Sequence, residues 1–562
     1  MSDFDFKKEV PQAFPVLDDK QIAIIAEFAK CKTYEDGDVL FRAGETDFMF
    51  HVIKSGAIAI VDRSSGEAQT ILVHDPGEFT GDLANLTGRT SNVDAIAQGK
   101  TEVYEVCEPD LRHIISERPG LSDLILQTFI TRAQALSKNE RFTGLRVIGT
   151  RFSVDTFRIR DFLSKNHVLY TYFDNETDAA VGALVKSFNL TESDLPVVGF
   201  AGDWLLKNPS NEELAERIGI RRALDGNALF DLAIVGGGPA GLAAAVYGAS
   251  EGLKTIVLEQ IATGGQAGTS SKIENYLGFP TGLSGAELAG RATLQAEKFG
   301  AELLIPSEVN KLEFADDLSV LHLESGEQIR TKALVIASGA EYRKLPVEGR
   351  EKFDGAGVYY AATQMEAGLC GGDAVVVVGG GNSAGQATIF LSENARKVFL
   401  LIRGDDLGKE MSNYLVQRIL QTENIELLTN TEITAMRGDT HLSAVELINN
   451  QTNEIRRENV AGVFSFIGAI PRTGWLPPEI ELDAKGFVKT GTRIADSEKW
   501  HRPRPPFFLE TSRAGVFAVG DVRCDSVKRV ASAVGEGSMS VQFVHEYLKE
   551  LQKPEPAAVA AA

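Results

Sequence analysis

The residues best placed to do chemistry are two sets of small residues at fixed spacing. Gly236, Gly238 and Gly241 follow the apolar run Phe230 to Val235 and open an Ala-rich segment. At G-x-G-x-x-G spacing the first glycine permits a tight turn, and the second lets backbone approach a pyrophosphate. The third allows close helix–strand packing, while the helix N-terminus attracts phosphate. Glu259 ends the next apolar run, 18 residues after Gly241, where a carboxylate accepts hydrogen bonds from ribose hydroxyls. Gly379, Gly381 and Ala384 repeat the pattern as G-x-G-x-x-A within DAVVVVGGGNSAGQATIFL. Two such units in one chain imply two nucleotides that exchange electrons, usually a flavin and a nicotinamide.

Thiols are the other candidates for redox work, and here the chain is poor. Its four cysteines, Cys31, Cys107, Cys370 and Cys524, are scattered and form no C-x-x-C pair. They suit neither a disulfide scaffold nor a close-spaced zinc site, and no metal site is expected.

The elements that must position these residues fall into several blocks. At 562 residues and about 150 per domain, three or four domains are expected. With 43% hydrophobic and 24% charged residues the chain reads as globular. A formal charge of −21, from 57 basic and 78 acidic residues, argues against nucleic acid or an anionic membrane as partner. The opening MSDFDFKKEV lacks a basic-then-apolar signal pattern, and Gly-Gly-Gly-Pro splits the most apolar stretch, Leu232 to Ala249. A reduced, soluble, cytoplasmic protein is expected.

Residues 1–140 start with a helix pattern at Ile22 to Ala29. Short β-type runs follow at Val39 to Phe41, Phe50 to Ile53, Ala57 to Val61, Ile71 to Val73, Val93 to Ile96 and Val103 to Val106, then helical periodicity from Leu111 to Leu136. Such spacing predicts a small barrel or jelly roll with helices. Residues 144–222 alternate strand and helix: Arg146 to Gly149, Thr156 to Ser164, Leu169 to Phe173, Ala179 to Phe188 and Val197 to Phe200. That predicts a small α/β unit. The remainder reads as two Rossmann-like three-layer domains, one at 346–471 inserted into another at 229–345 and 472–552. A low-complexity tail spans 553–562.

From about Phe230 to Leu551 the chain resembles the low-molecular-weight thioredoxin reductase group of flavoproteins. The resemblance is carried by the two fingerprints with GGQAGTSSKIENYLGFP (Gly264 to Pro280), ALVIASGAEYRKLP (Ala333 to Pro346), VFSFIGAIPRT (Val463 to Thr473) and GVFAVGDVRCDSVKRVASAVGEG (Gly515 to Gly537). It implies FAD contacts at Gly236, Gly238, Pro239, Ala240, Gly241, Glu259, Gly265, Gln266, Asn275, Gly520 and Asp521. Lys528, Arg529 and Val530 would begin the helix facing the flavin pyrimidine edge. Arg529 stands where the group usually has Gln, and a cation there would stabilise reduced flavin. Nicotinamide contacts would fall at Gly379, Gly381, Asn382, Ser383, Ala384 and Arg403. The group's basic set for a 2′-phosphate keeps only Arg403, yet no carboxylate ends that strand to hold a ribose 2′-hydroxyl, so NADPH is favoured and NADH stays open.

The first block resembles the cyclic-nucleotide-binding domain family through YEDGDVLFRAGE, FHVIKSGAIAI and PGEFTGDLANLTGRTSNV. That places a nucleotide or anion site at Gly81, Asp82, Arg89 and Thr90, although Asp82 replaces the family's Glu and the segment is about two residues short. The second block resembles a glutaredoxin or thioredoxin-like domain through GTRFSVDTFRIRDFL and LPVVGF, yet Ser153 and Thr156 occupy the two cysteine positions. The reductase-like part departs in the same way: GVYYAATQMEAG puts Ala361 and Gln364 where disulfide-reducing members keep C-A-T-C.

The resemblance therefore implies an FAD-dependent NAD(P)H oxidoreductase passing hydride to flavin and on to a small-molecule or protein acceptor other than an internal dithiol. No side chain is compelled to act as acid or base. Modulation by a nucleotide-like effector at the N-terminal block, and a homodimer, are further expectations. Two other readings stay open: a thioredoxin-disulfide reductase with an unusual thiol such as Cys524, and a flavin-containing sensor or scaffold whose turnover is incidental.

Overall fold

The structure is a computed structural model and describes residues 6–46, 48–63, 68–82, 84–87, 89–137, 145–178, 181, 190–200, 204–221 and 228–552. The chain is a multidomain α/β protein whose sheets are flanked by helices.

The N-terminal unit is a five-stranded antiparallel sheet. The separate short strands expected at Phe50 to Ile53 and Ala57 to Val61 are one strand, Phe50–Asp62, paired with Asp94–Val106. Gly56 explains the difference. At φ +80° it takes up the bulge between Ser55 and Ala57, so the ladder resumes without a turn. The single helix expected from Leu111 is two, Glu108–Glu117 and Pro119–Ser137, because Pro119 cannot donate into the preceding turn. Buried Phe50, Phe79 and Phe129 form the aromatic centre of its core.

The second unit is a four-stranded sheet in the order Tyr170–Asp174, Leu145–Gly149, Val197–Phe200, Trp204–Lys207. The first pair is parallel and the others antiparallel. Trp204–Lys207 has no counterpart in the sequence reading. Helix Val154–Lys165 starts at Ser153, whose side chain accepts from Thr156 N, and buries Ile159, Phe162 and Leu163 against the sheet. The helix expected at Ala179 to Phe188 lies, save Val181, outside the described residues.

The third part has two parallel-strand cores. In one, Thr255–Leu258, Leu229–Val235, Gln328–Ile336 and Val516–Ala518 run parallel, and Leu232, Ala233 and Ile234 are fully buried. Burial on both faces explains the unbroken apolar runs. In the other, Val375–Val378 lies between Gly462–Ser465 and Val398–Leu401, again in parallel. Ala340–Tyr342 and Ala469–Pro471 pair antiparallel where the chain crosses between the two cores and returns.

All these units touch. Leu294 of the first parallel-strand domain packs into the N-terminal core, and Leu303 and Ile305 pack into the core of the second unit. Among the described residues no helix is long and apolar enough to cross a membrane.

Candidate functional site

Parallel register brings the carboxyl ends of Leu229–Val235, Thr255–Leu258 and Val516–Ala518 to one edge, where the first fingerprint lies. Gly236 has φ +110°, and a Cβ there would stand 2.2 Å from the Ala337 carbonyl oxygen. A Cβ on Gly241 would stand 1.8 Å from the Gly236 oxygen, so both positions require glycine. Gly238 is different: a Cβ would meet only the Gly265 Cα at 3.9 Å. It caps helix Pro239–Ser250 with no side chain on the first-turn N–H groups, which leaves them for a phosphate. Ala240 is buried within this turn.

Glu259, expected to hold a ribose, lies beside the first glycine turn. Its Oε2 accepts from Gly237 N at 2.7 Å and its Oε1 from Ile261 N at 3.1 Å, so the group is fixed. Gly264 N donates to the Gly237 oxygen, which seats Gly265 and Gln266 on the same turn. The Gln266 amide donates to the Ala340 carbonyl. Asn275 is exposed beside Glu274, whose carboxylate pairs with Arg418 of the inserted domain at 2.7 Å.

The segment Gly515 to Gly537, expected to meet a flavin, packs against the same turn through Gly520 and Gly537. Gly520 has φ +71°, and Asp521 follows it, with burial pushing its carboxyl pKa up against the opposing charge of Lys528. Lys528 Nζ donates to the Asp521 carbonyl at 3.1 Å. Arg529 is the exposed cap of helix Val530–Leu551, with Val530 its first residue. Sequence reasoning missed Glu536. This buried carboxylate accepts from Gly520 N at 2.7 Å and pairs with Arg523 at 2.5 Å, so it holds the Gly520–Asp521 turn in place. It also missed Gly537, where a Cβ would stand 2.0 Å from the Ala240 oxygen. The glycine-rich VGEG of that helix was the available signal.

The second fingerprint repeats the logic. Gly379 has φ +143°, and a Cβ would stand 2.6 Å from the Phe466 oxygen. Gly381 caps helix Asn382–Ser392 and faces open space, and Ala384 is fully buried. Asn382 Oδ1 accepts from Ser412 N at 2.7 Å. Arg403 is 79% exposed and lies 3.8 Å from Glu432. Ser383 and Asp521 act on one phenol, that of Tyr342: burial raises its pKa, the Ser383 hydroxyl lowers it and the Asp521 charge raises it. The two fingerprint domains thus meet at Tyr342.

The thiols are poorly placed for nucleophilic work. Burial, with the nearby Glu366 charge, pushes the Cys370 thiol up to about 12. Cys524 is raised by burial and by donating to Asp483 Oδ2. Both therefore favour the thiol over the reactive thiolate. Ala361 is half-buried, and exposed Gln364 begins helix Gln364–Leu369. Among the described residues no His/Cys/Asp/Glu group could hold a metal ion.

In the N-terminal unit Gly81 has φ +100° and Asp82 Oδ1 accepts from Ala84 N at 2.8 Å. Arg89 and Thr90 face the second unit. Arg89 Nη1 donates to the Asn166 carbonyl at 2.9 Å, and Thr90 Oγ1 to the Ile218 carbonyl at 3.0 Å.

Residues 230–537 match the profile of the pyridine nucleotide-disulphide oxidoreductases, and residues 31–118 that of the cyclic nucleotide-binding domain. With over half its length matched, the chain belongs to the pyridine nucleotide-disulphide oxidoreductase family, NAD(P)H-dependent flavoproteins of thioredoxin reductase type. Thioredoxin reductase of Treponema pallidum is 36% identical over 324 residues, 58% of this chain and 98% of that one. The thioredoxin reductases of Lactococcus lactis, in its FR conformation, and T. acidophilum superpose with TM-scores of 0.51 and 0.52, at 28% and 29% identity. Each covers 99% of its own chain, and the matches span 57% and 58% of this one. The family uses FAD and NADPH. The residues here fit both groups, because each glycine turn presents free helix N–H groups and Glu259 stands beside the first.

Proposed function

We propose that the chain accepts hydride from NAD(P)H at its flavin and hands the electrons to an acceptor other than an internal dithiol. Bound FAD and NADPH supply the hydride chemistry itself. The protein's part is placement. Gly238 and Gly381 offer helix N-termini to the two pyrophosphates, and Glu259 holds the adenosine ribose of FAD. Asp521, set by Glu536 through Gly520, orients the flavin side chain.

One observation carries the reading of the acceptor: Ala361 and Gln364 stand at the dithiol positions, and neither side chain can form a mixed disulfide. The test is anaerobic stopped-flow reduction with NADPH and NADH, followed by quinone, dioxygen, iron–sulfur protein and thioredoxin-type disulfide acceptors. A disulfide turned over as fast as the best other acceptor overturns the proposal.

A second reading, modulation by the N-terminal unit, is favoured by Arg89. Its guanidinium is already engaged with the Asn166 carbonyl, so a nucleotide-like anion drawing on Arg89 would release a contact between units. Calorimetry with cyclic AMP and cyclic GMP tests it, and absence of heat from both removes the cyclic-nucleotide version. A cytoplasmic homodimer completes the proposal, to be checked by sedimentation.

A further inference from the structure

The second unit meets the inserted domain along one seam. On one side is the loop that leads into Ser153, and on the other is helix Gln364–Leu369. Arg151 Nη2 spans the seam, donating to the carbonyls of Gly368 at 3.1 Å and Leu369 at 2.9 Å. Phe152 stacks on His441 at 4.3 Å, and Phe157 packs at 5.8 Å from Tyr359. The second unit therefore rests on the inserted domain through several contacts.

An open pocket of about 370 Å³ lies along the seam, lined by Arg151, Arg160, Tyr172, Asp174 and Gln364, with Met365 as an apolar wall. That volume is within the range of small-molecule sites. Its second cation is unusual. The Arg160 guanidinium lies 4.0 Å from the Tyr172 ring centre, which pins it, while its Nε is buried without a hydrogen-bond partner. Two residues earlier on the same helix, Arg158 engages Asp155, Asn208 and Asn211. Among the described residues neither Arg151 nor Arg160 is paired with a carboxylate. The polar atoms of Arg160 left for the pocket are its terminal Nη groups, which have no hydrogen-bond acceptor among the described residues, and native structures seldom leave such donors without a partner.

We infer that this seam is a binding site for a small organic carboxylate. The terminal Nη pair of Arg160 matches a carboxylate end-on as a fork, and Arg151 adds a second fixed charge. Asp174 reduces the lining to one net positive charge, which suits a monoanion better than a phosphate dianion. Met365 and Tyr172 give an apolar body something to lie against. Because its walls come from two units, an occupant stiffens their junction.

The test uses the full-length FAD-loaded protein with benzoate as probe, and phosphate and chloride at matched ionic strength as comparisons. Calorimetry is expected to show one saturable benzoate site per chain, and the melting temperature to rise with the logarithm of benzoate concentration. Arg160→Gln weakens binding by roughly tenfold or more, and Arg160→Lys weakens it less, since it keeps charge but loses the fork. Flavin absorbance reports whether each variant is folded. Should Arg160→Gln fail to fold, Gln364→Trp, which fills the cavity from the other domain, is expected to abolish binding. Water alone in the cavity, read as no saturable benzoate binding, overturns the inference. So does binding unchanged in a folded Arg160→Gln or Gln364→Trp protein. Phosphate binding without benzoate binding overturns the carboxylate class.

Discussion

Arg89 of the N-terminal unit and Glu259 of the first fingerprint are joined by three successive hydrogen-bonded steps. Arg89 Nη1 donates to the Asn166 carbonyl, Asn166 Nδ2 to the Ile261 carbonyl, and Ile261 N to Glu259 Oε1, at 2.9, 2.9 and 3.1 Å. Asn166 is buried and serves as the only side chain of the second unit in this chain of contacts.

Asn166→Ala removes the amide that links the second unit to Ile261. It is expected to lower stability by about 1–3 kcal/mol, since it leaves a buried carbonyl unpaired. It should also loosen the setting of Glu259, read as a weaker apparent affinity for FAD. Unchanged FAD affinity would show that the contact braces the fold without touching the flavin site.

Gly381→Ala separates the two nucleotide sites. A Cβ at Gly381 meets nothing within 4 Å, so the fold and bound flavin should survive. The added methyl occupies the approach to the pyrophosphate, and the KM for NADPH should rise by roughly tenfold or more. Gly241→Ala behaves differently. Its Cβ would collide with the Gly236 oxygen at 1.8 Å, so protein without flavin is expected. Flavin absorbance and NADPH titration distinguish the two.

Arg403 is the basic residue kept at the position expected to neutralise a 2′-phosphate, and it is exposed, with only the long 3.8 Å pairing to Glu432 to compete for it among the described residues. Arg403→Ala should lower kcat/KM for NADPH by about tenfold, the scale of one charge-assisted contact, and leave that for NADH unchanged. Equal losses with both nucleotides would refute a 2′-phosphate role.

Cys370→Ser with Cys524→Ser should leave NADPH oxidation with a non-disulfide acceptor within about twofold of the parent, because both thiols are held protonated. Cys370 should react with iodoacetamide at pH 8 only after unfolding. Loss of turnover in the double variant would favour the thiol-dependent reading.

The N-terminal unit should weaken in acid. Burial holds the His74 pKa down to about 4; the nearby Arg132 charge lowers it too, and the Glu78 hydrogen bond at 3.1 Å opposes both. The imidazole titrates near 6.5 when unfolded, so the unfolded chain binds the extra proton between those values. This stability is complete above pH 6.5 and is lost as pH falls toward 4, by up to about 1.4 kcal/mol per unit. Buried His51, also lowered, acts in the same direction. Melting between pH 7 and 5 should show this, and His74→Gln should reduce the slope.

Both fingerprints, Glu259 and the parallel cores were legible in the sequence because each is a local constraint. A glycine needed at positive φ, an apolar run buried on both faces and a carboxylate at the end of a strand all leave their mark within about 30 residues. Strand continuity at Gly56 was legible only in principle, since a glycine between two runs reads equally as a turn or a bulge.

Tertiary structure alone decided which side chains meet. The VGEG sequence draws attention to its helix but does not mark Glu536 as the acceptor for Gly520. Nothing near Arg89 marks the Asn166 carbonyl, and nothing near Arg151 marks the end of helix Gln364–Leu369. These pairings join residues up to 218 positions apart, and they depend on how complete units pack. Their energy comes from desolvation and geometry at surfaces that do not exist until the units have folded. The sequence by itself pointed to a chain built for two nucleotides and without a C-x-x-C pair. Only the packed molecule set Arg151 and Arg160 of the second unit and helix Gln364–Leu369 along one seam.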